Sequence, residues 1–360
     1  MQKIYLTPGP SHPYPRIREF MDEAWSRDIP AISHRGKAFS DVYSRTATAI
    51  KLLMDVPSDY TVMFVSSATE AMERTVQGVV YERSHHFIQG EFAEKWYKIA
   101  RQLGKRPTAT RAPAGRPFPS FLVPAGTELV CITHNETSTG AIVPQPVLDK
   151  LVTSTHRPLV ALDVVSSAPM TTLPWPFLDI VFFSVQKAFG LPAGLGVLIA
   201  SPRAVQKSLE LEAAGGQIGS YHSLPQLVSA AQKLQTPTTP NVMGIYLLGS
   251  VAEDMLNRGV GDLRAENAKR AAQLYEIVSG HKHMQPFVTE DSWRSPTVIV
   301  AEVTKGNDHL MRHMAEQQLV LGKGYKDFAD AHVRIANFPA MDAQTFDLLL
   351  QRLRQYEPIS

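Results

Sequence analysis

Thiol chemistry and membrane insertion are the first functions that the sequence argues against. The 360-residue chain has one cysteine, Cys131, which excludes an intramolecular disulfide and a multi-cysteine metal site, and we predict no metal. Cys131 stands in the apolar run Leu129–Ile132, which predicts a small buried side chain in a strand rather than a reactive thiol.

No apolar run approaches the roughly 20 residues that cross a membrane. Pro8 interrupts the N-terminus before a signal peptide could form. The formal net charge of +2 is too small to indicate a nucleic-acid or membrane partner. We therefore expect a cytoplasmic protein with neither kind of partner.

The order of apolar runs favours two domains. In the first half, runs such as Leu159–Asp163 and Ile180–Ser184 alternate with helical patterns, which predicts an α/β fold with a mostly parallel sheet. Beyond Asn241, two long helical patterns precede the strands and helices of a smaller unit. We predict a large domain over residues 1–255, whose N-terminal segment can reach the second, and a small C-terminal α+β domain over residues 256–360.

A lysine follows one of the buried runs closely. Lys187 comes three residues after Ile180–Ser184, which places it at the carboxyl end of a strand, where ligands of open α/β sheets bind. Burial lowers the pKa of an amine and makes it nucleophilic toward a carbonyl, as Schiff-base chemistry requires. The glycine-rich continuation Gly190–Gly196 would let the backbone pass close to a ligand, although a flexible turn explains it equally well.

Two further strand ends carry polar groups. Asp163 ends a buried run and needs a partner there, and a helix cap or an ion pair would supply one as readily as a ligand. Ser66–Glu70 leads from a strand into a helix, so its free N–H groups and hydroxyls suit a phosphate or an ordinary N-cap. His134–Gly140 follows another strand, and a surface turn is its alternative.

The remaining candidates are an aromatic residue and two cationic groups. Phe92 could stack on a planar cofactor, although aromatic residues at helical spacing more often lie in a core. His34 and Arg35 lie in an early loop. Arg334 alternates with apolar residues of a late strand, where it could bind a carboxylate bidentately or face solvent.

Together these segments resemble the class V branch of fold-type I aminotransferases, which depend on pyridoxal phosphate (PLP), and the match runs over almost the whole chain. Within that branch the chain is similar to the phosphoserine aminotransferases and to the neighbouring alanine–glyoxylate and serine–pyruvate aminotransferases. The most specific segments are Ser33–Gly36, His134–Gly140, Asp163–Ser167 and Gln186–Lys187.

The resemblance implies a homodimer with shared active sites and a role for each matching residue. Lys187 would hold the cofactor as a Schiff base and later move a proton, while Asp163 would bind the ring nitrogen. The other implied contacts are Thr137 with the ring oxygen, Phe92 stacked on the ring where relatives often have tryptophan, Ser67, Ala68, Thr69 and Gln186 around the phosphate, Thr236 of the partner subunit at that same phosphate, Arg334 at the substrate carboxylate, and Gly9 against the substrate.

One stretch departs from the phosphoserine enzymes. The best-known bacterial type has a His-Arg pair for the substrate phosphate shortly before the carboxylate arginine, where this chain has Asp327 and Phe328. His34–Arg35 is retained, and Lys323 and Lys326 lie nearby in sequence.

The resemblance favours transfer of an amino group from glutamate to 3-phosphohydroxypyruvate, a step of serine biosynthesis. Alanine–glyoxylate or serine–pyruvate exchange is the alternative within the family. Cysteine desulfuration on the same fold would need a cysteine on a mobile loop, and Cys131 is predicted in a buried strand. A protein that only binds a small molecule would have no use for the nucleophile Lys187.

Overall fold

A computed structural model of the protein describes residues 3–150 and 157–358, which form two large β-sheets, a two-stranded ribbon and surrounding helices. The strands are β1 (Ile4–Leu6), β2 (Thr61–Val65), β3 (Ser84–Ile88), β4 (Thr108–Arg111), β5 (Leu129–Thr133), β6 (Asn135–Glu136), β7 (Ala141–Ile142), β8 (Leu159–Asp163), β9 (Ile180–Ser184), β10 (Gly196–Ala200), β11 (Met284–Pro286), β12 (Val298–Val303), β13 (Leu319–Lys323) and β14 (His332–Ala336). The α-helices are α1 (Ile17–Ser26), α2 (Lys37–Leu53), α3 (Ala68–Val79), α4 (Glu91–Gln102), α5 (Gln145–Lys150), α6 (Pro202–Ala213), α7 (Leu224–Ala231), α8 (Val242–Arg258), α9 (Val260–Gly280), α10 (Asp308–Glu316) and α11 (Ala343–Arg354).

The larger sheet has seven strands in the order β2-β10-β9-β8-β5-β3-β4. Strands β9, β8, β5, β3 and β4 pair in parallel, whereas β10 is antiparallel to both of its neighbours. Every residue of β5, β8, β9 and β10 is buried, which explains why their sequences are apolar without alternation. The predicted α/β fold with a mostly parallel, mixed sheet is confirmed.

The smaller sheet has the order β1-β13-β14-β12-β11. Its first strand comes from the N-terminus, where Ile4 pairs with Leu319 in parallel. In β14 the side chains of Val333 and Ile335 are buried, while Arg334 between them is half-buried and faces the other way.

Two hydrophobic clusters underlie the two sheets. The first contains residues of every strand of the seven-stranded sheet except β4, together with most of α8 and one face of β12 (Val298 and Val300). The second contains the opposite face of the small sheet, α11 and Leu6 of β1. Helix α9 contributes Leu263 to the first cluster and Leu274 to the second. A division of the chain between residues 255 and 256 stays a prediction.

Within residues 3–150 and 157–358, the helices are all too short or too polar to cross a membrane.

Candidate active site

A cavity of about 250 Å³ opens at the carboxyl ends of β5, β8 and β9. It collects side chains from strands that are far apart in sequence because parallel strands end at one edge of the sheet. The residues that sequence reasoning selected and that line this cavity are Gly9, Ser67, Ala68, Thr69, Phe92, Thr137, Asp163, Gln186 and Lys187.

Lys187 is the nucleophile candidate, and its side chain is held against the N-terminal segment. The Lys187 Nζ atom donates a hydrogen bond to the carbonyl oxygen of Pro8, and Ser11 Oγ donates to the carbonyl of Lys187 at 2.6 Å. A Cβ atom at Gly9 would overlap the end of the Lys187 side chain, so only glycine permits this approach. Burial lowers the pKa of Lys187 to about 8, with the Arg334 charge adding to the effect.

Asp163 ends β8 beside the lysine strand. Its side chain is buried, and its Oδ1 atom accepts a hydrogen bond from the backbone N–H of Val165 at 2.9 Å. Burial raises the pKa of Asp163 to about 7, and the charge of Lys187 opposes that rise. A cationic group placed in the cavity in front of this buried carboxylate would stabilise its charged form.

The start of α3 forms the opposite end of the cavity. Ser67 is the N-cap of this helix, since its Oγ atom accepts a hydrogen bond from the N–H of Glu70 at 3.1 Å. Thr69 Oγ1 accepts a hydrogen bond from Lys95 Nζ at 2.8 Å. The helix N-terminus and the adjacent ammonium group together favour an anion. Sequence reasoning did not select Lys95, although its position three residues after Phe92 places both on one face of α4.

Phe92 is positioned by a buried carboxylate that sequence reasoning also missed. Glu136 is fully buried and accepts hydrogen bonds from the backbone N–H groups of Phe92 and Ala93 at 3.1 Å each. Ser138 Oγ donates to the same carboxylate at 2.6 Å. Burial raises the pKa of Glu136, and these hydrogen bonds oppose the rise. A Cβ atom at Gly90 would overlap Glu136, so the glycine lets the start of α4 approach the carboxylate.

Thr137 and Arg334 meet at the entrance. Thr137 is buried, and its Oγ1 atom donates to Ser166 Oγ at 2.9 Å. Arg334 reaches over from the small sheet, where its Nη1 atom donates to the Thr137 carbonyl at 3.3 Å and its Nε atom to the Lys323 carbonyl at 2.7 Å. Burial lowers the pKa of Arg334. Arg334 does not line the cavity itself, but its charge acts on Lys187.

His34, Arg35 and Thr236 are not among the residues lining the cavity of their own chain. Thr236 is buried beside a separate cavity of about 100 Å³, which His222 and Ser66 also line. The cavity therefore contains the cofactor residues expected from one chain, while His34, Arg35 and Thr236 do not line it.

A hydrogen-bonded pair of side chains, His222 and Glu70, connects the segment around Thr236 with the start of α3. His222 Nδ1 lies 2.6 Å from Glu70 Oε1, and its Nε2 atom lies 3.0 Å from Thr238 Oγ1. Although burial alone would raise the pKa of Glu70, hydrogen bonds from His222 and Ser66 lower it to about 2. The segment around Thr236 is thus tied to the helix whose N-terminus faces the main cavity.

The chemistry of the main cavity fits PLP. It offers a buried amine for an aldehyde, a buried carboxylate for a protonated ring nitrogen, an aromatic ring, and a helix N-terminus for a phosphate. Two buried polar atoms of its wall, Thr133 Oγ1 and Asn135 Oδ1, have no hydrogen-bond partner among the described residues, as expected where a polar ligand belongs.

Comparison with known proteins gives the same answer. Residues 9–324 match the family model for class-V aminotransferases. A solved structure of a phosphoserine aminotransferase from Cytophaga hutchinsonii is 38% identical, covers 98% of each chain, and superposes with a TM-score of 0.96. The phosphoserine aminotransferase of Rhodococcus opacus is 26% identical over 352 residues, which are 96% of this chain and 92% of that protein. The alanine–glyoxylate aminotransferase of a Nostoc species shares the fold at 18% identity, covering 99% of this chain and 95% of its own, with a TM-score of 0.76.

The family match covers most of the chain, and the cavity carries the groups that its cofactor needs. The chain therefore belongs to the class-V aminotransferases and is a PLP-dependent transaminase.

Proposed function

We propose that the enzyme transfers an amino group between glutamate and 3-phosphohydroxypyruvate, so that phosphoserine and 2-oxoglutarate are the other reactant pair. The observation that carries this proposal is the likeness to the Cytophaga hutchinsonii protein, which bears the name phosphoserine aminotransferase and is 38% identical over 98% of the chain. Several curated relatives at about a quarter identity carry the same name.

The residues of the cavity divide the work. When bound, PLP supplies an electron sink for the bond that breaks at the substrate α-carbon. Lys187 would hold the cofactor carbonyl and then take and return the proton at that carbon, which suits an amine whose pKa is lowered to about 8. Asp163 would keep the ring nitrogen protonated, and Phe92 would lie against the ring. Ser67, Ala68, Thr69 and Gln186 would hold the phosphate, Thr137 the ring oxygen, and Gly9 would leave room for the substrate.

Arg334 would bind the substrate α-carboxylate. Two of its N–H groups are already engaged by the carbonyls of Lys323 and Thr137, which fixes the plane of the guanidinium. A fixed planar fork suits bidentate binding of a carboxylate.

The substrate phosphate needs further positive charge, and the two lysines nearest to Arg334 in sequence, Lys323 and Lys326, are already paired. Lys323 Nζ lies 3.0 Å from Asp308 Oδ1, and Lys326 Nζ forms an ion pair with Glu91. We therefore assign recognition of the phosphate to His34 and Arg35, supplied by a second subunit because neither lines the cavity of its own chain.

We propose a homodimer with shared active sites, and the same placement supports it. Arg35 and Thr236 lie outside the cavity of their own chain, and an exposed apolar side chain, Leu234, lies two residues before Thr236 in sequence. Tyr221, beside the pair of His222 and Glu70, is exposed as well. Two-fold dimers are the commonest soluble assembly, and a two-fold axis would let each subunit complete the other's site.

Alanine–glyoxylate or serine–pyruvate exchange is the second candidate. It is favoured by the residues Asp327 and Phe328, which stand where the phosphoserine enzymes have a His-Arg pair, and by the pairing of Lys323 and Lys326 with carboxylates. Cysteine desulfuration is not supported, because Cys131 is buried within β5 and burial raises the pKa of its thiol.

A half-reaction screen tests the proposal. The purified holoenzyme is mixed separately with glutamate, phosphoserine, alanine and serine, and the absorbance change of the cofactor is followed in a single turnover. We expect glutamate and phosphoserine to convert the cofactor fastest. Conversion by alanine or serine with no response to phosphoserine would overturn the assignment in favour of the second candidate.

A further inference from the structure

A tyrosine that follows β13, Tyr325, contacts two residues of the candidate site, Phe92 and Arg334. The ring of Tyr325 lies 5.6 Å from the ring of Phe92, measured between centroids, at an interplanar angle of 45°. The guanidinium carbon of Arg334 lies 5.3 Å from the centroid of the same ring. Tyr325 thus contacts both the aromatic residue of α4 and the arginine of β14.

Three neighbours contact the guanidinium of Arg334: two carbonyl groups at its edge and one aromatic ring at its face. Carbonyl oxygens of Lys323 and Thr137 accept hydrogen bonds along its edge, and the Tyr325 ring covers a face. A guanidinium over an aromatic ring is attracted by the negative face of the π-system, and the attraction grows when both groups are partly removed from water. The half-buried state of Arg334 and Tyr325 meets that condition.

The tyrosine is itself anchored across the gap between the small domain and α4. The next residue, Lys326, forms an ion pair with Glu91 at the first turn of α4. Lys326 also has a positive φ of 47°, which is unfavourable for a residue other than glycine and is retained only where surrounding contacts hold it. These features tie the segment that carries Tyr325 to the start of α4, the helix of Phe92.

We propose that Tyr325 is a positioning residue that orients the Arg334 guanidinium for the α-carboxylate of the substrate. This inference rests on the proposed role of Arg334, not on the identity of the amino acid that the enzyme uses. Since every amino-acid or 2-oxo-acid substrate carries the same α-carboxylate, Tyr325 acts on all of them alike. Removing the ring weakens carboxylate binding and leaves the chemical step intact once the substrate is bound.

The test measures binding of propionate, a carboxylate without an amino group, to the holoenzyme by calorimetry and as a competitor of glutamate. Propionamide, which is uncharged and of nearly the same shape, is the matched control ligand. In Tyr325→Leu we expect the dissociation constant of propionate to rise about 2- to 30-fold, which is the range of a cation–π contact, with that of propionamide unchanged. The KM for glutamate should rise by a similar factor with kcat at saturation preserved. Tyr325→Phe, which keeps the ring, should restore propionate binding to within about twofold of the unmodified enzyme.

An Arg334→Gln variant separates this inference from the one beneath it. If Arg334→Gln loses the preference for propionate over propionamide while Tyr325→Leu keeps it, the role of Tyr325 is wrong and that of Arg334 stands. If Arg334→Gln keeps the preference, the carboxylate site lies elsewhere and both assignments fall. A Tyr325→Phe variant as impaired as Tyr325→Leu would also contradict the proposal, because the ring would then not be what orients the arginine.

Discussion

Arg35 and Gln235 are joined through their side chains, with Arg35 Nη1 donating to Gln235 Oε1 at 2.9 Å. Arg35 Nη2 also donates to the carbonyl oxygen of Pro237 at 3.0 Å. These bonds connect the loop proposed to read the substrate phosphate with the segment proposed to reach the partner's cofactor phosphate. Both segments therefore move as one unit if they serve a neighbouring subunit.

The shared site predicts complementation between two inactive variants. Lys187→Ala removes the nucleophile, and Thr236→Asp places a negative charge against the cofactor phosphate of the neighbour. In a heterodimer of the two variants, one of the two sites is intact. It takes its Lys187 from the subunit that carries Thr236→Asp and its Thr236 from the subunit that carries Lys187→Ala. Statistical mixing should therefore restore roughly a quarter of the sites of the unmodified dimer.

Lys187→Ala mixed with Asp163→Ala is the control for that experiment. Lys187 and Asp163 both line the cavity of their own chain. In the heterodimer one site therefore lacks the lysine and the other lacks the aspartate, so no activity should return. Equal recovery in the two mixtures, or a fully active monomer by light scattering, would contradict shared sites.

The pKa of Lys187 predicts how its amine reacts in the cofactor-free protein. Acetic anhydride labels only neutral amines, so labelling of Lys187 should rise with pH to a midpoint near 8 rather than the ordinary 10.5. Asp163→Asn removes a charge that raises this pKa and should move the midpoint down. Arg334→Gln removes a charge that lowers it and should move the midpoint up.

The labelling is read by mass spectrometry of the peptide that contains Lys187. The two variants act as controls for one another, because a general loosening of the site would move both midpoints upward toward 10.5. Shifts in the same direction would mean that these charges do not act on the amine as described.

Recognition of a substrate phosphate is tested at Arg35. Charge-assisted hydrogen bonds contribute about 1.5–3 kcal/mol, so Arg35→Gln should lower kcat/KM for phosphoserine about 10- to 150-fold. The loss with alanine should be much smaller. Lys37→Gln is the matched control, since Lys37 lies two residues away, is exposed, and pairs with Asp41 at 2.8 Å. Equal losses with both substrates would show that Arg35 only holds the segment of Gln235 and Pro237 in place.

The carboxylate below α4 predicts a stability effect. Glu136→Gln keeps the shape but replaces one accepting oxygen by a donor, which then faces the N–H groups at the start of the helix. We expect a loss of about 1–3 kcal/mol in the free energy of unfolding, measured by urea denaturation. Glu94→Gln on the same helix is the control, because the Glu94 pair with Arg111 lies at the surface and should contribute about 0.2–1 kcal/mol. Equal losses from the two variants would mean that Glu136 does not hold the start of α4.

Sequence patterns were sufficient for the residues at strand ends. An apolar run ending in a polar residue indicates a buried strand with its last side chain at the sheet edge, and this placed Asp163 and Lys187 beside one cavity. Such a run does not reveal the direction of the strand, which is why the antiparallel course of β10 could not be read from Gly196–Ala200.

Residues whose partners are distant in sequence could not be predicted from sequence patterns. The hydrogen bonds of Glu136 go to a helix start 43 and 44 residues away, and Tyr325 contacts Phe92 across 233 residues of sequence. For Thr236 the residue pattern gave no signal; its role came from the resemblance to the family, and the structure places it beside a separate cavity.

Lys187 is assigned as the residue that carries the cofactor. Treating the yellow holoenzyme with borohydride and mapping the peptides by mass spectrometry tests this directly. We predict a phosphopyridoxyl group on the peptide containing Lys187 and its absence from Lys187→Ala, which should still fold but have lost nearly all turnover. A label on another lysine, or a Lys187→Ala variant that transaminates at the unmodified rate, would contradict this assignment of Lys187.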